Sequence, residues 1–371
     1  MLNKKCLMLV VLISGTFLTG TSHGDSPAGL KSGTPDIKSA GPLAFGPNGV
    51  LFIGDAKSAA IFAIDTGDAP DSRTPADVNV DDINKKVGAL LGTTGKNVHI
   101  NDVAVNPLSG NVYLSATRAV GEPQPALIKV TAAGEVVAVP LKDVAFAKAE
   151  LPKAPEDKEF TRRGRKSNKR NDSITDIAFF DNRVYVAGLS NEEFASKLRS
   201  LPFPFTEADN GTSVEIYHAS HGKIETHSPV RTFVPFDIGG EPHLLASYTC
   251  TPLVTFPISR LTPDTKVTGK TVAELGNHNR PLDMIVYEQD GQRFVMMANS
   301  SRGVMKFSTE GIDKAEHLNE RVKDKAGHPY ETIEELQGVV QLDRLDDASA
   351  IVLMVDPANE NQFNLKTVPL P

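Results

Sequence analysis

Tryptophan is absent from the chain, and aromatic residues make up only 6% of it. That removes the tryptophan-marked repeats of WD40 domains, quinoprotein alcohol dehydrogenases and sialidase Asp-boxes, and it argues against a lectin that stacks sugars on indole rings. Cysteine is nearly missing too, with two in 371 residues. Cys6 lies in an apolar leader, so Cys250 would stand alone in a mature chain and no internal disulfide could form. No apolar run is long enough to span a bilayer. A net charge of -7 gives no support to nucleic-acid or membrane-surface binding. Catalytic signatures are missing as well: there is no Gly-x-Ser-x-Gly elbow, no His-Glu-x-x-His, no Cys-x-x-Cys-His and no phosphate-binding glycine loop.

What is present begins with "MLNKKCLMLVVLISGTFLTGTSHG", a basic start, a short apolar run and then small polar residues, the order of a secretory signal peptide. Cleavage near Gly24 would leave residues 25–371 as one exported domain, and the lack of disulfides favours a periplasm over a harsher extracellular space.

Self-similarity is the dominant signal. "GPLAFGPNGVLFIGDAKSAAIFAID" (41–65) has the grammar of three short strands joined by turns, and it returns near residues 101, 175, 231, 282 and 338. The spacing predicts an all-β chain, a six-bladed β-propeller with four-stranded blades. Fourth strands are expected at "ADVNV", "EVVAVPL", "KIETHS" and "TVAELG". The last unit ends after its third strand, so a segment within 28–41 is expected to close the ring and remove its open edge. Helical pattern is confined to 81–92 and 191–201.

In such a ring each inner strand starts at the same rim of the tunnel. Superposing the units places Asp102, Asp176 and Asp283 together there, with Asn101 and Arg280 beside them. Converging carboxylates repel unless a cation neutralises them, and oxygen donors of this kind suit Ca²⁺. The plainer reading is that each aspartate accepts backbone N–H bonds from a connecting loop. "GPLAFGPNGVLFIGD" and "INDVAVNPLSGNVYLS" resemble the inner strands of NHL-repeat and SMP-30/gluconolactonase-like six-bladed propellers. That resemblance implies a divalent ion at the tunnel mouth, with Asn101 and Asp283 matching two of the ligands, although no glutamate stands at the start of the first unit where the family has one. It also implies lactone or ester hydrolysis; joined to the superposition of the units, this makes Asn101, Asp102, Asp176 and Asp283 the ligands of a cation that activates water, with Asp283 and Arg280 the catalytic candidates and Arg280 or Arg302 holding a substrate carboxylate.

Two other readings stay open. "SVEIYHASHGKIETHSP" (213–229) carries three of the nine histidines. A two-residue turn at His221-Gly222, or a four-residue one over Ser220–Lys223, would set His218 opposite Glu225 and Ile216 opposite His227. His218, Glu225 and His227 would then share one face, a donor set for Zn²⁺ or Fe²⁺, although hairpin position at a blade's outer edge favours a solvated salt-bridged rim. This and Cys250 would make a redox or metal-handling protein. Alternatively, "TRRGRKSNKR" (161–170) and "LPFPF" (201–205) would dock a partner protein on a non-enzymatic scaffold, or the latter would fold back into blade core.

Overall fold

The computed structural model describes residues 29–371 apart from 71–72, 74–76, 163 and 251, so the expected signal peptide lies outside the described residues. It is a six-bladed β-propeller. Blade one shows how the local sequence builds each sheet. Leu43–Phe45 and Val50–Asp55 are joined by Pro47–Gly49, where Asn48 and Gly49 take left-handed φ values of 56° and 73°, conformations that asparagine and glycine accept at low cost. The second strand, VLFIGD, is buried along its whole length because both faces meet neighbouring blades.

The inner strands of blades two to six are Val98–Val105, Asp176–Phe180, Thr232–Ile238, Pro281–Gln289 and Val339–Arg344. Their neighbours around the tunnel do not follow chain order. Blade one touches two and three, two touches six, and six, five, four and three follow in turn. The chain therefore lays down blade one and then blade two on one side of it, crosses to the other side, and builds three to six around the remaining arc.

This order changes the origin of two outer strands. Asn79–Val80, expected to complete blade one, pairs instead with the third strand of blade six, Asn359–Pro369, and closes the ring. Blade one takes Val144–Glu150 as its fourth strand, and Lys31–Gly33, from the segment expected to close the ring, adds outside that. Sequence grammar misses these assignments because neither strand pairs within its own repeat: Asn79–Val80 pairs across most of the chain, and Val144–Glu150 pairs back across the whole second unit. Val136–Ala138 and Lys270–Leu275 complete blades two and four as expected.

The link between Asp65 and Asn79 must pass blade two to reach blade six. Asp68 fastens it there: its carboxylate accepts from Ser109 Oγ, Asn111 Nδ2 and Tyr113 Oη, and its carbonyl accepts from Asn106 Nδ2. Asp68→Ala leaves the Asn106 bond but takes the acceptor from Ser109, Asn111 and Tyr113, and should cost about 2–3 kcal/mol in chemical denaturation. An unchanged midpoint would show that the crossing is held elsewhere.

Blade three departs most from expectation. Residues 191–201 do not form a helix; Ser196–Pro202 is the third strand. Its buried residues, alternating with half-buried ones only at its end, follow the sheet, and helical spacing of Phe194, Leu198 and Leu201 is overridden by pairing with Arg183–Leu189. Thr212–His218 is the fourth strand, and Lys223–Glu225, within the "KIETHS" segment expected to be the fourth, is an added hairpin strand outside it. The helix expected over 81–92 does form, as Ile83–Leu90, with Ile83 and Val87 in the core of blades two and six.

"LPFPF" folds inward. Phe203 and Phe205 pack on Phe52 of blade one at 4.9 and 5.9 Å between ring centroids. The basic stretch forms a hairpin, Glu159–Arg162 with Arg165–Asn168. Among the described residues no helix is long and apolar enough to cross a membrane.

Candidate functional site

The inner strands all start at one end of the tunnel. That end opens into a mouth of about 500 Å³ lined by Lys57, Asn101, Asp172, Arg231, Arg280 and Gln341, among others. The aspartates occupy the next level down, where a larger chamber of about 660 Å³ runs to the opposite opening past Arg73 and Arg344. Asn101 and Arg280 are thus at the mouth as expected, while Asp102, Asp176 and Asp283 face the chamber below it.

Each aspartate holds the neighbouring blade. Leu43 N–H donates to Asp102 Oδ2 at 2.7 Å, Phe233 N–H to Asp176 Oδ2 at 2.8 Å, and Leu342 N–H to Asp283 Oδ2 at 2.8 Å. A fourth, Asp343, accepts from Val105 N–H at 2.7 Å. Sequence reasoning passed over Asp343, although "QLDRL" in the sixth unit carries the same leucine-aspartate pair as "PLDMI". The second oxygens of Asp176, Asp283 and Asp343 accept the next N–H of their own strands, at 2.7–2.8 Å. These bonds are the structural role that an inner-strand aspartate was expected to play, directed to the adjacent blade's strand.

Burial raises the pKa of all four. Asp176 is pushed up to about 7 and Asp343 to about 6, desolvation outweighing their backbone donors. Asp102 and Asp283 lie well above the carboxylate range, through desolvation first; the charges of Asp176 and Asp343 add to it for Asp102, and those of Asp102 and Asp176 for Asp283.

The mouth has a different character. Asn101 sits at a β-bulge between Ile100 and Asp102, and Leu282 at the matching bulge of blade five. Bulges turn side chains out of the ladder, and here Asn101 is anchored by donating to Ala40 O and Thr117 Oγ1 at 2.8 and 2.9 Å. Arg231 is fixed by Asp172 at 2.7 Å. Arg280 has no side-chain hydrogen bond or ion pair among the described residues; desolvation by the walls and then the Arg231 charge push its pKa down, opposed by Asp172. Neither Arg231 nor Asp172 was picked out from the sequence, since both sit in blade connections whose convergence depends on the ring order.

Asp55, Cys250 and Arg302, all where a second strand passes to a third, do not line the mouth. Asp55 is fully buried and organises its loop by accepting from Lys38, Ser39 and Ser58 N–H. Cys250 is a partly exposed free thiol at a left-handed turn, φ 61°. Arg302 donates to Asn277 O, away from the residues lining the mouth.

The histidine hairpin forms with a corrected register. A four-residue turn, Ala219–Gly222, sets His218 opposite Lys223 and Ile216 opposite Glu225. Because the slip is two residues, His218 and Glu225 still share a face. The added strand ends at Glu225, so His227 is exposed and outside the cluster; His221 from the turn takes its place. The cluster lies at the outer seam of blades three and four, where Glu274 of blade four faces His218. Burial opposes ionisation of Glu225, but His218, Ser228 and His221 outweigh it and hold its carboxyl well below the usual range.

No protein-family model matches the chain, and no curated protein matches it. Solved structures align with it at low similarity. They include a proposed oxidoreductase (glucose dehydrogenase) from Thermus thermophilus, 13% identical over 91% of this chain and 100% of that one, TM-score 0.33. A mitotic checkpoint complex chain is 6% identical over 100% and 99%, TM-score 0.38. The PQQ-bound aldose sugar dehydrogenase of Streptomyces coelicolor is 12% identical over 91% and 97%, TM-score 0.30. Similarity at this level assigns no activity; the propeller rests on the strand pairings themselves.

Proposed function

We propose that the protein binds a small carboxylate-bearing ligand in the tunnel mouth, with Arg280 as its principal contact. The observation that supports this is an arginine lacking an ion-pair partner among the described residues, at the edge of a polar concavity that already carries Lys57 and the Arg231–Asp172 pair. A guanidinium there offers a bidentate fork to a carboxylate, and Asn101 and Gln341, whose amide nitrogens donate within the protein, line the same mouth as neutral polar groups. Binding suits this geometry better than turnover. Both oxygens of Asp283, expected as a metal ligand of the catalytic centre, are already engaged by the N–H groups of Met284 and Leu342.

A panel of small carboxylates and their neutral amides tests the assignment by thermal shift and calorimetry. Carboxylates should raise Tm where the amides do not, and Arg280→Ala should weaken binding about 10- to 100-fold, in line with the ~1.5–3 kcal/mol of a hydrogen bond to a charged group. Equal affinity of the wild type and Arg280→Ala for a carboxylate would remove the assignment. Hydrolysis of a lactone or ester that depends on added Ca²⁺ and on Asn101 would favour instead the metal-assisted reading, in which Asn101, Asp102, Asp176 and Asp283 hold the ion.

A further inference from the structure

The outer seam of blades three and four holds a group of side chains that neither the mouth nor the ring of aspartates uses. His218 is 1% exposed, yet neither of its ring nitrogens makes a hydrogen bond of acceptable direction. Its Nδ1 lies 3.2 Å from Glu225 Oε2. On the other side, Glu274 accepts the N–H groups of Ala219 and Ser220 on Oε1. The remaining oxygen of Glu274, Oε2, has no partner and stands 4.0 Å from His218 Nε2. Buried polar atoms are normally satisfied, so three unsatisfied atoms in one place call for a group that would satisfy them.

The turn brings a second imidazole to the same point. Gly222, at φ 65°, lets its N–H donate back to His218 O at 2.8 Å, and the tight loop lays the His221 ring against His218 with centroids 3.8 Å apart. His221 Nδ1 is 2.7 Å from Glu225 Oε1. One donor atom each from His218, His221 and Glu225 falls within 4.8 Å of the others. Two imidazoles stacked this closely repel if both are protonated, and neutral imidazole is the form that binds a metal.

We propose that His218, His221 and Glu225 bind one divalent cation of the zinc class, with Glu274 as the positioning carboxylate behind His218. Two nitrogen donors and one carboxylate oxygen suit Zn²⁺. A carboxylate facing the other nitrogen of a ligating histidine fixes its tautomer and ring orientation, which is the place Glu274 holds. His221 is exposed, so a fourth position lies toward solvent and is open to water or a small ligand. Lys223, 3.6 Å from Glu225 Oε1 and itself largely exposed, is the competing cation that the metal displaces.

The test uses untagged full-length protein, stripped with chelator and dialysed, then titrated with ZnCl₂ by calorimetry and with CoCl₂ followed by visible absorption. The expected result is one equivalent of Zn²⁺, a raised Tm, and the absorption bands of low-coordinate cobalt. His221→Ala, an exposed position that should leave folding intact, is expected to lose at least tenfold in affinity. Glu274→Gln should lose about 10- to 100-fold while stoichiometry is kept. His227→Ala and Arg280→Ala should bind as the wild type does, so failure of the carboxylate site leaves this result untouched and the reverse holds too. Absence of a stoichiometric Zn²⁺ equivalent, or wild-type affinity in both His221→Ala and Glu225→Gln, overturns the proposal.

Discussion

Between pH 5 and pH 7 the protein should lose stability as pH rises, and Asp176→Ala should remove one aspartate's share of that slope, about 1.4 kcal/mol per pH unit. The folded-state pKa of Asp176 is about 7 against an ordinary 3.8. Below pH 3.8 both folded and unfolded chains hold the proton and this group adds no pH dependence. Between 3.8 and about 7 the unfolded chain has released it and the folded chain has not, so each rise in pH favours unfolding. Above that both are ionised and the difference is constant. Each aspartate in this condition contributes a slope of about 1.4 kcal/mol per pH unit across its window. Asp343 adds to it up to about pH 6, and Asp102 and Asp283 act in the same direction.

The opposite trend belongs to Asp68, Glu192, Glu215 and Glu225, whose carboxyls are held low and which therefore lose their contribution as pH falls toward and below 4. Stability should accordingly peak near pH 5, measured by urea unfolding across a pH series. At that optimum Asp176→Ala should be about 2–3 kcal/mol less stable, because the buried Phe233 N–H loses its acceptor. A wild-type curve flat from pH 5 to 8 would refute the burial argument. Calcium provides a second reading of the same acids: a cation held by Asp102, Asp176 and Asp283 would ionise them, release protons on binding and raise Tm at pH 7, whereas acids that only brace strands give no response.

Val80→Asp should have the largest effect on folding. Val80 is 2% exposed in the two-residue strand that closes blade six, packed with Val78, Ile83, Val87 and Leu365. A carboxylate there would lie among those apolar side chains, so the strand must either leave the sheet or bury a charge in the core. The expected loss is on the order of 4 kcal/mol, with aggregation as the outer edge of Asn359–Pro369 is uncovered. Val80→Ala, which removes only methyl groups, should cost about 2 kcal/mol and remain monodisperse in scattering. If Val80→Asp melted within a degree or two of the wild type, ring closure by Asn79–Val80 would not be a stabilising contact.

The sequence by itself determined the repeating three-strand unit, the count of blades and the placing of Asn101 and Arg280 at a common rim. These follow from alternation and turn chemistry, which act over a few residues and survive in any fold built from such units. It also put His218 and Glu225 on one face, since a two-residue slip preserves the side on which a strand residue points. The tertiary structure alone decided the order of blades around the tunnel, the giving of Asn79–Val80 to blade six and of Val144–Glu150 to blade one, and the conversion of 191–201 from helical pattern to strand. It also brought His221, Glu274, Arg231 and Asp172 to their sites and gave the aspartates their neighbours. The physical reason is that pairing at a blade edge depends on which strand reaches it with unsatisfied N–H and C=O groups, and the chain's path across the ring, pinned at Asp68, brings distant segments to edges that neighbouring sequence would otherwise fill.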